Sequence, residues 1–116
     1  MKSAGGTTQK GPPYAGHRRR LRERFEKSNL EGFADYEVVE LLLTLAIPRS
    51  DVKQPAKELI ARFGNLRSIL DAPLSELRTV HGLGEIAPVA LRIIRAAADL
   101  YLRQRVEEKG TKEKEL

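Results

Sequence analysis

Residues 77–94 read LRTVHGLGEIAPVALRII, and the turn within that stretch decides the fold. Leu77 and Val80 close one apolar helical stripe, and Val89, Ala90, Ile93 and Ile94 belong to the next. His81-Gly82-Leu83-Gly84 joins them as a tight turn. Gly82 and Gly84 supply the positive φ that such a turn often needs. Leu83, between them, is expected to point inward and fix the turn to the core.

The same turn carries a candidate chemistry. Lacking β-carbons, Gly82 and Gly84 let a ligand approach the backbone. The helix after Gly84 aims its unsatisfied N–H groups at solvent, where a phosphate oxygen can accept them. Such contacts read backbone rather than base sequence. The glycines also suit a turn that serves packing alone. His81 is either a ligand contact or a surface turn residue.

Working outward, periodicity predicts helices only. A basic helix spans 16–27, with Leu21 and Phe25 as its thin apolar stripe. Asp35 is the expected N-cap of a second helix through Ile47, with Val38, Leu41, Leu42 and Leu45 on one face. Pro48 ends that helix. Ala56, Leu59, Ile60 and Phe63 mark a third, closed by Gly64. Asn65 caps a short helix over Leu66, Ile69 and Leu70. Pro73 starts another through Val80. The last follows Gly84, with Ile86, Val89, Ala90, Ile93, Ile94, Ala97, Leu100 and Tyr101 on one face. Pro88 disfavours helical geometry at Ala87, so this helix is expected to begin a turn late.

A displacement of 33 residues superimposes Ile47 on Val80, Pro55 on Pro88, Ala56 on Val89 and Ile60 on Ile93. The reading is a helix-hairpin-helix unit used twice, linked by residues 65–70. The expected fold class is all-α, about six short helices in one domain over 16–106, between a flexible tail (1–15) and a charged tail (107–116).

Composition sets the bounds. The 116 residues hold 41% apolar and 32% charged residues, no cysteine and two histidines, His17 and His81. Disulfides, thiolate metal sites and Cys nucleophiles are excluded, and no multi-His zinc site can form. No apolar run reaches the ~18 residues of a membrane span, and no secretory signal opens the chain, so a cytoplasmic location is expected. Residues 1–27 carry eight basic and two acidic groups, whereas the remaining 89 carry 13 and 14. The whole net charge of +5 therefore comes from the N-terminal quarter, where Arg18, Arg19, Arg20, Arg22 and Arg24 cluster. That arm suggests a polyanion. Asp35, Glu37 and Glu40 read as first-turn and exposed-face acids.

Four segments, GHRRRLRERF (16–25), DYEVVELLLTLAIPRSDVK (35–53), AKELIARFGNLRSILDA (56–72) and HGLGE (81–85), together resemble the N-terminal domain of the RadC (UPF0758-type) family. The resemblance implies a tandem helix-hairpin-helix domain that in the family precedes a JAB/MPN-type zinc metallopeptidase-like domain with a His-x-His segment. The family's name carries a DNA-repair assignment of bacterial type. No His-x-His segment occurs in this sequence, so no catalysis is expected of it. The first hairpin, PRSD, lacks glycine, and Arg49 is the residue that could compensate. Residues 85–88 read Glu-Ile-Ala-Pro where phosphate-binding relatives often have Lys or Arg, and Glu85 suits the helix dipole better than a phosphate.

The expectation is a non-catalytic domain binding DNA without sequence preference. Its contact candidates are Arg18, Arg19, Arg20, Arg22, Arg24, Arg49, His81, Gly82, Leu83 and Gly84. No cofactor is required, although hairpin carbonyls suit a monovalent cation in the wider motif class. The alternative is a protein-interaction or regulatory module for a JAB/MPN-type domain in cis or another protein. No membrane partner is expected.

Overall fold

Helix boundaries follow from local chemistry with a few instructive shifts. The computed structural model describes residues 13–115, so most of the expected tail over 1–15 lies outside the described residues. Six helices occur among them: α1 (Pro13–Ser28), α2 (Asp35–Ala46), α3 (Lys53–Phe63), α4 (Leu66–Asp71), α5 (Leu74–Leu77) and α6 (Ile86–Glu115). The described residues include no strand, and the fold is all-α.

Helix α1 stops where Asn29 turns to φ +55°, one of the few non-glycine residues that tolerates this region. Asp35 does not cap α2. Ala34 holds that position, and Glu37 Oε1 accepts the Ala34 N–H at 3.0 Å. Asp35 Oδ2 instead accepts the Leu66 N–H at 3.0 Å, capping α4 across 31 residues of sequence. Asn65 Oδ1 accepts the Ser68 N–H of the same helix at 2.8 Å. Gly64 ends α3 at φ +100° as its position implied. Helix α5 is shorter than expected: Pro73 is its N-cap and Leu77 its last residue. Val80 is buried in the turn that follows.

Helix α6 begins at Ile86, not a turn later. Pro88 is its third residue, where the missing N–H would have had no intrahelical acceptor. The helix crosses residue 107 without a break and ends at Glu115.

Two apolar faces differ from the expected ones. Helix α2 buries Val38, Val39, Glu40 and Leu43, while Leu45 is 77% exposed. Helix α6 buries Ala87, Pro88 and Leu91, while Ile86, Ile93, Leu100 and Tyr101 are exposed. Both helices have apolar residues around most of their circumference, so periodicity does not choose the inner face. The 33-residue displacement aligns the starts of α3 and α6 at Lys53 and Ile86. Their buried faces are nevertheless one residue out of step, since Ala56 and Leu59 correspond to Pro88 and Leu91.

The core joins Val39 and Leu43 of α2, Ala56 and Leu59 of α3 and Ile69 of α4 to Leu77, Ala87 and Leu91. The first hairpin turn contributes one inward residue, Val52, and the second contributes two, Val80 and Leu83. Helix α2 is the central element, packing on α1, α3, α4 and α6.

Leu59 is fully buried. Leu59→Ala is expected to cost about 2–5 kcal/mol through lost contacts and a cavity. Leu45→Ala should stay within about 0.5 kcal/mol, because that side chain already faces water. Urea denaturation followed by circular dichroism measures both.

Candidate nucleic-acid interface

The arginine run on α1 divides into inward and outward members. Arg18 is only 9% exposed. Its guanidinium donates to the carbonyls of Thr44 (3.3 Å), Ser50 (2.8 Å) and Ile47. These are the carbonyls that the end of α2 and the first turn leave without partners. Arg18 is therefore an internal C-cap rather than a DNA contact. Arg24 pairs with Glu37 Oε2 at 2.7 Å and lies over the Phe33 ring, 4.2 Å from its centroid. It is engaged by the protein itself, although its side chain is 42% exposed. Arg19, Arg20 and Arg22 remain exposed, with no ion pair among the described residues.

The acids that sequence placed on an exposed face have structural work. Hydrogen bonds from Arg24 and then from the Ala34 amide hold the Glu37 carboxyl below the usual carboxylate range. Glu40 is 1% exposed, and His17 Nε2 lies 3.2 Å from its Oε2, close enough to pair but poorly aligned for a hydrogen bond. A buried carboxylate needs a nearby cation or donor, and His17 is the group offered. No sequence motif marks this pair. Its signal is only that residue 40 shares an arc of α2 with Val39 and Leu43.

Because Arg18 grips the first turn, α1 lies beside it. An open groove there is lined by Tyr14, His17, Arg20, Asp51 and Lys53. Asp51 Oδ1 accepts the Lys53 N–H at 2.9 Å, so the first turn of α3 is already partly capped. Arg49 projects from the same turn and is exposed.

The second hairpin sits against the start of α3. Gly82 has φ +91°, and a β-carbon added there would lie 3.5 Å from the Pro55 ring. That side of the glycine faces protein, so Gly82 serves the turn and the junction between hairpins. Gly84 has φ +73° and open space where a β-carbon would be. It lines a shallow depression with Arg78 and Glu85. Leu83 is 3% exposed, and its side chain anchors the turn, as expected. His81 is exposed beside Gly82. The fold thus brings Arg20, Arg49, Lys53, His81 and Gly84 toward the hairpin edge of the domain. Lys53 on this edge and Arg78 in the Gly84 depression are the cations that sequence reasoning missed, since each looked like an ordinary surface charge.

The UPF0758 N-terminal family model matches residues 15–89. The chain belongs to the RadC (UPF0758-type) family. It is 38% identical over 100 residues to a UPF0758 protein of Fusobacterium nucleatum, covering 86% of this chain and 43% of that protein. It is 42% identical over 93 residues to a UPF0758 protein of Ruegeria pomeroyi, covering 80% and 42%. The chain thus spans less than half the length of these UPF0758 relatives. No solved structure matches it. The matched region contains α2 to α5, both hairpins and almost all of α1, so the family's N-terminal domain is the unit described here. Among the described residues of this UPF0758 domain, no three His, Asp or Glu side chains converge as a metal site, and no helix is long and apolar enough to cross a membrane.

Two predictions separate structural from surface charges. Arg18→Met should cost about 2–3 kcal/mol, since it strands buried carbonyls. Arg22→Met, at an exposed position, should shift stability by less than about 0.5 kcal/mol. Denaturant titration of both variants decides.

Glu37 has a folded-state pKa below its unfolded value. Its contribution is present above the unfolded pKa and disappears as pH falls through the folded one. Glu37→Gln should therefore be less stable than the parent at neutral pH, and the difference should close in acid. Thermal melts across that pH range measure the gap.

Proposed function

We propose that this domain binds duplex DNA through its phosphates, without sequence preference and without catalysis of its own. The observation that carries the reading is the Gly82–Pro55 junction, which sets the two hairpins side by side on one edge. Arg20 and Lys53 flank the first hairpin, and Arg78 and the open Gly84 flank the second. Cationic side chains on adjacent turns, with the open backbone at Gly84, suit successive phosphates rather than base edges. Arg19, Arg22 and Arg49 extend the positive field. Glu85 weakens it at the second hairpin, so the first hairpin and α1 carry more of the attraction. A monovalent cation on hairpin carbonyls would assist the same contacts, and titration in sodium against potassium at fixed ionic strength reads its effect. The proposal includes a cytoplasmic setting and the DNA-repair-like role that the RadC resemblance implies.

The second reading is a protein-interaction or regulatory module for a JAB/MPN-type zinc metallopeptidase-like domain. It is favoured by the near-neutral charge of residues 28–116.

Fluorescence anisotropy against unrelated duplexes at several salt concentrations tests the proposal. Each phosphate contact removed should lower the log–log salt slope by about 0.9. The double variant Arg20→Gln/Lys53→Gln should therefore flatten the slope by nearly two such steps and weaken every duplex alike. Gly84→Val should weaken binding less. Affinity that ignores salt, or strong preference for one sequence, would refute phosphate recognition. No binding at low salt would move the assignment to the second reading.

A further inference from the structure

Helix α6 has an inner face and a second apolar stripe. Ala87, Pro88 and Leu91 turn to the core. On the other side, Ile86, Ala90, Ile93, Ala97 and Leu100 succeed one another at spacings of four, three, four and three, with Gln104 next. This is the repeat of a coiled-coil seam, with Ile, Ile and Leu at one seam position and Ala at the other. Ile86 is 70% exposed, Ile93 62% and Leu100 43%. Large aliphatic side chains aligned along one face mark an interface, unlike singly scattered ones.

We propose that this stripe is a homodimer seam on which α6 of a second copy packs antiparallel. Size complementarity selects that orientation. With the two-fold axis near residue 95, Ile93 faces Ala97 of the second copy, and Leu100 faces its Ala90. A parallel pair would instead set Ala on Ala and leave gaps between layers of Ile, which tight packing disfavours. Charge agrees. The antiparallel pair brings the exposed Arg103 of the second copy to within two residues of the exposed Glu85 along the seam. It also opposes the two helix dipoles. Ala87, Pro88 and Leu91 place the body of each copy on the other side of α6 from the seam. Covering the exposed parts of Ile86, Ile93, Leu100 and the neighbouring Tyr101 on both copies removes on the order of 1,000 Å² from water, the lower bound of a specific interface. The association is accordingly reversible and concentration-dependent, and isologous by symmetry.

Sedimentation velocity over a concentration series tests the seam. The parent chain should shift reversibly from monomer to dimer. Ile93→Glu should remain monomeric throughout. Leu102→Glu, at a residue 55% exposed but on the opposite side of the helix, should dimerise like the parent. Circular dichroism on both variants confirms that the helix is retained. The chain has no cysteine, so single substitutions report orientation. A short bis-maleimide should link Ala96→Cys to its own counterpart at the two-fold axis and leave Ala90→Cys unlinked. A parent that stays monomeric, an Ile93→Glu variant that still dimerises, loss of dimer in Leu102→Glu alone, or linkage of Ala90→Cys without Ala96→Cys would each overturn the proposal.

Discussion

The Arg18 guanidinium, seated on the carbonyls of Thr44, Ile47 and Ser50, is the contact on which the functional edge depends. It closes the C-terminal end of α2, whose last carbonyls Pro48 leaves without a continuing helix. In doing so it draws α1 against the first hairpin. Arg20, two residues on, then reaches the groove that Lys53 enters from α3. Helix α6 repeats the device at the other end of the core. Arg92 donates to the carbonyls of Leu70 (2.8 Å) and Ala72 (3.2 Å), and Arg95 holds Asp71 at 2.9 Å. Two guanidinium caps thus tie the outer helices to the ends of α2 and α4. Arginine suits this task because its planar fork serves several carbonyls at once and does not lose its charge.

This arrangement changes what the basic composition means. Five arginines in seven positions looked like one electrostatic surface, yet Arg18 and Arg24 are engaged with the protein itself. The free charge is smaller and more local than the net +6 of residues 1–27 suggests. Among Arg18–Arg24 it lies on Arg19, Arg20 and Arg22, of which Arg20 lines a groove with Lys53 of the first hairpin. The glycine-containing second hairpin has the open backbone at Gly84 but also Glu85. One hairpin therefore offers charge without glycine, and the other offers glycine with an acid beside it. The proposed phosphate surface is assembled from both turns, since neither alone has the complete pattern.

The fold was largely legible because its punctuation is chemical: Pro48, Gly64, Asn65 and Gly84 each end or begin a helix for a local reason. The inner faces of α2 and α6 were not legible. Both helices are apolar at nearly every phase, and the choice of face is made by partners distant in sequence. Glu40 turns inward to meet His17, and Leu91 rather than Ile93 meets the core. Asp35 was read as a local cap because propensity is local, whereas its carboxylate spans 31 residues to Leu66. At the site, the hairpin glycines and the exposed arginines could be named from sequence. The inward turn of Arg18 could not, since only the folded chain reveals which carbonyls lack partners. Lys53 and Arg78 gained interest only once the hairpins were seen together.

The account stands on one edge being the ligand-facing surface. Titrating the isotopically labelled chain with a short duplex, and following backbone amide shifts by NMR, examines that edge residue by residue. The account predicts perturbations concentrated in residues 47–53 and 81–85 and in the outward face of α1 around Arg20, moving alike for unrelated duplexes and fading as salt rises. Perturbations absent from both hairpins, and confined to α6 beyond Ile93 or to no region at all, would contradict it.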